Sequence, residues 1–287
     1  MIVQLQPIPT CKLSRDDANL HDHMSGRPER LFESAVAHYA RYRTGYPTCE
    51  VGRLADRLGL DHTKVAIDIG CGTGQLAIPL AEYAGMVIAI DPVAEMLAVG
   101  RQSAEAADRT NINWLLGDSS TMNSLVVPGA DLATFAASFH WTDRSEVVRV
   151  LDRLLDPAGS VVTINDDLDD AEQPAWVHAV TALRDDYLGE NHTAATDPYT
   201  NAPVSHREIL ENSPFASVQT LSWQWQRQLT VDEVVGLQFT YSFSTPALFG
   251  DRAHQFAADV GTTILAMHPN GHVSEPFRVE VLVASRP

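Results

Sequence analysis

Cysteine, basic residues and long apolar runs are all scarce in this chain of 287 residues. Its three cysteines, Cys11, Cys49 and Cys71, share no metal-ligand spacing, and a few scattered cysteines are typical of a reducing compartment. No apolar run approaches the roughly 20 residues that a membrane-spanning helix needs. The first residues lack a basic segment followed by a long apolar stretch, so no signal peptide is predicted. These absences predict a cytoplasmic protein with no resident metal and no membrane association.

The shortage of basic residues gives the chain a strongly acidic balance. There are 20 Lys and Arg against 37 Asp and Glu, which makes the formal net charge −17 and the pI about 4.9. Such a surface repels phosphate backbones, so DNA and RNA are not expected as partners. Small neutral or cationic molecules fit better, although acidity also serves solubility alone. The sequence leaves the choice between monomer and homodimer open.

The order of predicted elements indicates the fold class. Residues 1–28 are polar and are predicted to be a mobile N-terminal arm, and residues 29–287 to be one domain. From Val65 onward, short apolar strands alternate strictly with amphipathic helices as far as Asn165. Continuous apolar strands between helices predict an α/β fold with a doubly wound, Rossmann-like parallel sheet covered by helices on both faces. Two late alternating segments, 218–229 and 277–285, are predicted to be further strands.

The stretch VAIDIGCGTGQL carries a glycine loop directly after the first predicted strand. Dinucleotide sites use a G-x-G-x-x-G loop that brings backbone N–H groups onto a pyrophosphate. Here Gln75 stands where the third of those glycines would fall, and Asp68 lies two residues before Gly70. A carboxylate at this position would repel a pyrophosphate. It suits a positively charged nucleoside derivative without phosphate, such as S-adenosylmethionine.

Two further acids follow the next two strands. Asp91, before Pro92, ends the second strand about 20 positions past the glycine loop, where an acid usually binds the ribose hydroxyls. Met96 lies one turn into the following helix, where it either faces the adenine or belongs to the core. Asp118 and Ser119 follow the third strand, either as an adenine contact or as a plain Asx turn.

The segments IDIGCGTGQL, IAIDPVAEML, LLGDSS and FAASFHWTDR together resemble class I S-adenosylmethionine-dependent methyltransferases. The resemblance covers about residues 30–165. Within this family the chain is similar to the small-molecule branch that includes trans-aconitate and natural-product methyltransferases. It implies a seven-stranded sheet, mostly parallel with the last strand antiparallel, and a substrate lid inserted at about 166–204. It also implies that Tyr39 and Arg43 close over the methionyl end of the cofactor. The expected cofactor contacts are Tyr39, Arg43, Asp68, Gly70, Cys71, Gly72, Gln75, Asp91, Pro92, Met96, Asp118, Ser119 and Ala136.

The segment after the fourth strand bears on the acceptor of the methyl group. Methylases of nucleic acids and of protein glutamine carry an Asn/Asp-Pro-Pro-aromatic motif there, whereas this chain has Ala136 to Phe139. Those acceptors are therefore not expected. His140 is either a general base, since its ordinary pKa lies near 6.5, or shapes the pocket together with Trp141.

An acidic run beginning at Asp166 and Asp167 follows the fifth strand, where carboxylates either attract a cationic substrate or form a solvated loop. With Trp141, Tyr241 and His254 they complete the expected substrate contacts. The best-fitting activity is N-methylation of a cationic amine, for instance an amino sugar in antibiotic biosynthesis. O- or C-methylation of a carboxylate or phenol is one alternative, for which Arg or Lys should line the lid. A dinucleotide-dependent oxidoreductase is an alternative of another class.

Overall fold

The computed structural model describes residues 32–125, 128–189 and 204–287. The proposed N-terminal arm, 1–28, and residues 190–203 of the proposed lid lie outside this part of the chain. Seven strands form one sheet, in chain order β1 Val65–Ile69, β2 Met86–Asp91, β3 Ile112–Leu116, β4 Ala130–Ala136, β5 Leu155–Asp166, β6 Ser217–Thr230 and β7 His272–Ser285.

The strand order across the sheet is β3-β2-β1-β4-β5-β7-β6. β1 to β5 run parallel to one another, and β7 is antiparallel to both β5 and β6. This confirms the predicted sheet. β6 and β7 are paired along their whole length, but the chain between them forms helices instead of a tight turn.

The described helices are α1 Val36–Tyr42, α2 Thr48–Leu58, α3 Ala77–Leu80, α4 Ala94–Ala106, α5 Met122–Leu125, α6 Arg144–Leu154, α7 Ala175–Leu188, α8 His206–Glu211, α9 Val231–Gln238, α10 Pro246–Phe249 and α11 Ala253–Met267. Side chains with local hydrogen bonds mark several starts. Asp143 accepts from the Glu146 N–H before α6, and Thr230 forms a reciprocal capping box with Glu233 before α9. α3 has only four residues, because Pro79, which has no N–H, lies within it and turns precede and follow it.

Apolar side chains pack on both faces of the sheet. One buried cluster, which includes Phe135 and Phe139, lies under α6, and a second, which includes Leu76 and Val281, lies on the opposite face. A third cluster lies among α7, α9 and α11, centred on Phe256. The segment after β5 therefore has a small core of its own beside the sheet. No helix of the described ranges has the length and apolar character needed to span a bilayer.

Candidate active site

The strand order reverses between β1 and β4, which puts a crevice at the carboxyl ends of the central strands. A cavity of about 210 Å³, here called the crevice cavity, occupies this position. Ten of the residues expected from the sequence line it: Tyr39, Gly70, Gly72, Asp91, Pro92, Met96, Asp118, Ser119, Ala136 and Trp141. Motifs that are far apart in the sequence therefore meet at one place.

The glycine loop passes very close to the end of β4. Gly70 has φ +70°, and a Cβ added there would lie 2.5 Å from the Cβ of Ser138. Only glycine satisfies both conditions without a shift of the backbone. Ala137, next to Ser138, itself adopts φ +53°, a conformation that side chains other than glycine rarely take. The backbone of Ala137 is thus held in a conformation that costs free energy at the point where the glycine loop and β4 meet at the crevice.

Asp91 supports the loop from the end of β2. Its carboxylate accepts a hydrogen bond from the Gly72 N–H at 2.8 Å and another from the Val93 N–H at 2.9 Å. Burial raises the pKa of Asp91, and these two hydrogen bonds oppose that rise. The side chain holds the loop in place while it lines the crevice cavity.

Asp118 forms a local turn at the rim of the crevice cavity, and its contact with the adenine stays a prediction. Its Oδ1 accepts from the N–H groups of Ser120 and Thr121 at 2.9 and 3.0 Å, which is a local turn. The residue also lines the crevice cavity. Burial pushes the pKa of Asp118 upward, but the hydrogen bonds from Ser120 and Thr121 outweigh it and leave the pKa below its usual value. The carboxylate is therefore a fixed acceptor at the rim. Met96 is buried and also lines the cavity.

A second cavity of about 70 Å³, the junction cavity, adjoins the first. Tyr39, Gly70, Ala136 and Ala137 line both. Cys71 and Gln75 line the junction cavity but not the crevice cavity, and the Gln75 amide donates to Thr73 Oγ1. The two cavities thus form one continuous depression over the glycine loop.

Asp68 lies at the floor of the junction cavity and is almost fully buried. Thr134 Oγ1 donates to its Oδ1 at 2.7 Å, but its buried Oδ2 has no partner. Burial raises the pKa of Asp68 to about 7, against the opposing effects of the Thr134 hydrogen bond and of the Ala77 backbone N–H, which lies close to the carboxylate without making a hydrogen bond of ordinary geometry. An unpartnered buried carboxylate oxygen is costly, so this atom marks a place for a donor group.

Arg43, just after α1, supplies the opposite charge in the same cavity. Its buried Nε also lacks a hydrogen-bond partner, and its guanidinium lies 4.9 Å from the ring centre of Tyr241 and 5.6 Å from that of Tyr39. An unpartnered acceptor and an unpartnered donor in one small cavity are complementary to the ammonium and carboxylate of an amino acid.

A third cavity of about 230 Å³, the helix-lined cavity, lies among α7, α9 and the start of β7. Arg43, Asp166 and Phe277 line both this cavity and the junction cavity. Tyr241, expected at the substrate, lines the helix-lined cavity and stacks on Phe243 with ring centres 5.3 Å apart. A molecule held here therefore has direct access to the junction cavity.

Part of the acidic run is held in ion pairs and is not available to attract a substrate. Arg278 pairs with Glu172 at 2.6 Å and with Asp167 at 3.2 Å, and also contacts Asp169 at 4.0 Å. Asp167 is therefore held by an ion pair and is not among the residues that line the helix-lined cavity, contrary to expectation. Asp166 lines the cavity and has no ion pair with a described residue.

Besides Asp167, two expected residues are not at the three cavities. His140 stacks on His206 with ring centres 6.4 Å apart, on the side of α8, and His254 is exposed on α11. Trp141, expected at the substrate, instead lines the crevice cavity and packs edge-on against Phe32. The expected base His140 and the expected substrate contact His254 therefore lie away from the three cavities. For His140 the reason is the short turn after β4, which carries it away from the junction cavity and toward His206.

Sequence reasoning missed the charged residues that come from α7 and β7. Arg184 is buried and lines the helix-lined cavity, as do Glu275 and Arg278. A signal was present for Arg184, since it follows Trp176 and Val180 at four-residue spacing on one buried helix face. The surrounding acidic composition concealed it.

Comparison with known proteins agrees with this geometry. A family model described as a methyltransferase domain matches residues 66–159. An uncharacterized methyltransferase of Mycobacterium tuberculosis is 28% identical over 240 residues, which are 83% of this chain and 86% of that protein. An uncharacterized methyltransferase-like protein of Schizosaccharomyces pombe is 24% identical over 82% of this chain and 87% of its own length.

A solved structure shares the fold at low identity. It is an S-adenosylmethionine-dependent methyltransferase from Thiobacillus denitrificans in complex with S-adenosylhomocysteine, with TM-score 0.50 and 14% identity over 90% of this chain and 98% of that one. The matched family model covers the strands and loops that build the crevice. The matched domain, the methyltransferase relatives and the shared fold support the assignment of the chain as a class I S-adenosylmethionine-dependent methyltransferase.

Proposed function

We propose that the chain transfers the methyl group of S-adenosylmethionine to the nitrogen of a small-molecule amine held in the helix-lined cavity. The observation that carries the proposal is the position of Asp166, which lines both that cavity and the junction cavity and has no ion pair with a described residue. A carboxylate at this point attracts an ammonium or amine and repels a carboxylate or phenolate.

The cofactor site is supported by the fit of its polar atoms. The unpartnered Oδ2 of Asp68 suits the cofactor's ammonium, and the unpartnered Nε of Arg43 suits its carboxylate. Asp91 would accept from the ribose hydroxyls and Asp118 from the adenine amino group, since both line the larger crevice cavity. When bound, the cofactor supplies a methyl group activated by a positively charged sulfur.

The chain's own residues then have to position the acceptor and exclude water. Asp166 would accept a hydrogen bond from the neutral amine and take up the proton that the nitrogen gives up on methylation, while Tyr241 and Phe277 form apolar walls beside it. His140 is not assigned this role, because it lines none of the three cavities. Tyr39, which lines both the crevice and junction cavities, covers the route between them.

The finer hypothesis of an amino sugar in antibiotic biosynthesis agrees with an amine acceptor but rests on no observation of its own. O-methylation retains one supporting observation, because Arg184 and Arg278 also line the helix-lined cavity. Arg278 is already paired with carboxylates, whereas Arg184 is not. Asp166, which lines the helix-lined cavity beside the junction cavity, still favours N-methylation of an amine over O-methylation of a carboxylate or phenol.

A methyl-transfer screen with labelled cofactor tests the proposal. Primary amines, amino sugars, phenols and carboxylates are offered, and the labelled product is identified by mass spectrometry. We expect label on nitrogen, and we expect Asp166→Asn to lower the rate at least tenfold with the affinity for S-adenosylhomocysteine within twofold.

The matched control is Asp169→Asn, because the Asp169 side chain is 85% exposed and does not line the cavity. Label only on oxygen or carbon, or equal rates in the Asp166 and Asp169 variants, would show that the amine assignment is wrong.

A further inference from the structure

Arg184 is a buried cation that has no carboxylate partner among the described residues. It is 8% exposed and lies on α7. Its guanidinium donates to the Gln238 Oε1 at 3.3 Å and to the Thr181 Oγ1 at 3.1 Å, both neutral oxygens, and lies 4.7 Å from the ring centre of Phe243. Its buried Nε makes no hydrogen bond. A charge held so far from water without a counterion costs stability, so its retention indicates a ligand.

The other charges of the helix-lined cavity leave Arg184 as the free cation at the end away from the cofactor. Glu275 pairs with Arg227 at 2.5 Å, and Arg278 pairs with Glu172 and Asp167. Arg43 and Asp166 lie at the other end, where the cavity joins the junction cavity. Of the charges that line the cavity, Arg184 and Asp166 therefore remain for an acceptor once Arg43 is assigned to the cofactor.

We infer that the acceptor carries an anionic group, a carboxylate or a phosphate, which Arg184 binds while Asp166 holds the amine toward the cofactor. The inference rests on the proposed function for the amine, but the anion site follows from Arg184 alone. A planar guanidinium with a free Nε presents two parallel donors, the arrangement that carboxylates and phosphates accept. The substrate class is therefore a small zwitterion with an amine and an anion on one compact frame.

The reaction on such an acceptor balances without a further reactant. The amine nitrogen forms a bond to the methyl carbon as the bond between sulfur and that carbon breaks, and the sulfonium becomes a neutral thioether. The proton displaced from nitrogen passes to Asp166 and then to solvent. Arg184 is unchanged throughout, because it fixes only the distance and orientation of the acceptor.

Calorimetric titrations of the full chain with defined probes test the anion site. The probes are 3-phenylpropionate and phenyl phosphate, with 2-phenylethylamine as the match that lacks an anion, each in the presence of S-adenosylhomocysteine. We expect at least one of the two anions to bind saturably. The anion that binds more tightly shows whether the site prefers a carboxylate or a phosphate. Arg184→Met should weaken that anion at least tenfold, and Arg184→Lys should weaken it less.

Arg149→Gln is the control, because Arg149 is exposed and pairs only with Glu146 on the surface of α6. Absence of binding by both anions, or equal binding by the Arg184→Met variant, would overturn the inference. Failure of the proposed function would be recognised separately, since the wild-type chain would then not bind S-adenosylhomocysteine or would not methylate amines.

Protein stability distinguishes a binding role for Arg184 from a structural one. If Arg184 is kept for a ligand, Arg184→Met removes an uncompensated buried charge and should leave the midpoint of thermal unfolding unchanged or higher. A clear fall in the midpoint with undiminished anion binding would assign the residue to the core of the helices and contradict the inference.

Discussion

Asp68 is the residue at which we expect the stability of this enzyme and its cofactor affinity to be linked. The carboxyl group is buried against apolar side chains and its Oδ2 has no partner, so burial raises its pKa to about 7. Below about pH 4 the group is protonated in both the folded and the unfolded chain. Between about pH 4 and 7 only the folded chain keeps the proton, so the free energy of unfolding falls as the pH rises through this window.

The first prediction concerns Asp68→Asn. Without bound cofactor, the variant should be more stable than wild type at pH 8, by as much as about 4 kcal/mol for a shift of this size. At pH 5, about one pH unit into this window, the difference should be less than half as large, about 1.7 kcal/mol. Its affinity for S-adenosylhomocysteine should fall by roughly 10- to 100-fold, because a charge-assisted hydrogen bond is lost. Denaturant unfolding and calorimetric titration at both pH values measure the two effects.

A matched control lies at the opposite end of the same sheet. Asp131 pairs with Lys64 at 2.7 Å at the start of β4, far from the glycine loop. Asp131→Asn should lower stability slightly and leave the cofactor affinity unchanged. Equal affinity losses in the two variants would indicate a general effect on the fold and would remove Asp68 from the cofactor site.

At the scale of elements, α1 links the junction cavity to α9, which lines the helix-lined cavity. The residues of α1 and its end, Tyr39 and Arg43, line the junction cavity. Tyr42 packs its ring onto Gly236 of α9, where an added Cβ would lie 2.2 Å from the ring, and its hydroxyl donates to Asp232 at 3.0 Å. Movement of α9 is therefore expected to move the residues over the cofactor.

Gly236→Ala should displace α1. We expect the variant to lose about 1–3 kcal/mol of unfolding free energy through overpacking and to bind S-adenosylhomocysteine several-fold more weakly. Gly261→Ala on α11 is the control, because its nearest contact would be an ordinary 3.6 Å and alanine favours a helix by up to about 1 kcal/mol. Unchanged cofactor affinity in the Gly236 variant would show that α1 does not depend on α9.

The elements also show what the sequence can predict. β1 to β4 were predictable because short apolar strands alternate strictly with amphipathic helices, which is typical of a parallel sheet covered on both faces. The crevice residues were predictable because the ligand site of such a sheet lies at the carboxyl ends of its strands. The helix-lined cavity was not predictable, because its charges come from the end of β5, from α7 and from β7, which are far apart in the sequence and meet only in the folded chain. Asp167 was assigned wrongly because its partner, Arg278, is 111 residues away.

At the scale of the whole molecule, the three cavities lie side by side from the glycine loop to the helices beside the sheet and share lining residues. The crevice and junction cavities share residues of the loop and β4, and the junction and helix-lined cavities share Arg43, Asp166 and Phe277. A cofactor and an acceptor would therefore meet at the end of β5. The net charge of −17 agrees with a small acceptor and opposes a polyanionic one.

The central claim is that the glycine loop and Asp68 hold a positively charged nucleoside cofactor without phosphate. Thermal unfolding of the intact chain with S-adenosylhomocysteine and, in parallel, with NAD tests this most directly, since a ligand that binds only the folded state raises the unfolding midpoint. We predict a dose-dependent rise with S-adenosylhomocysteine and none with NAD. A rise with NAD, or no rise with S-adenosylhomocysteine at saturating concentration, would contradict the account.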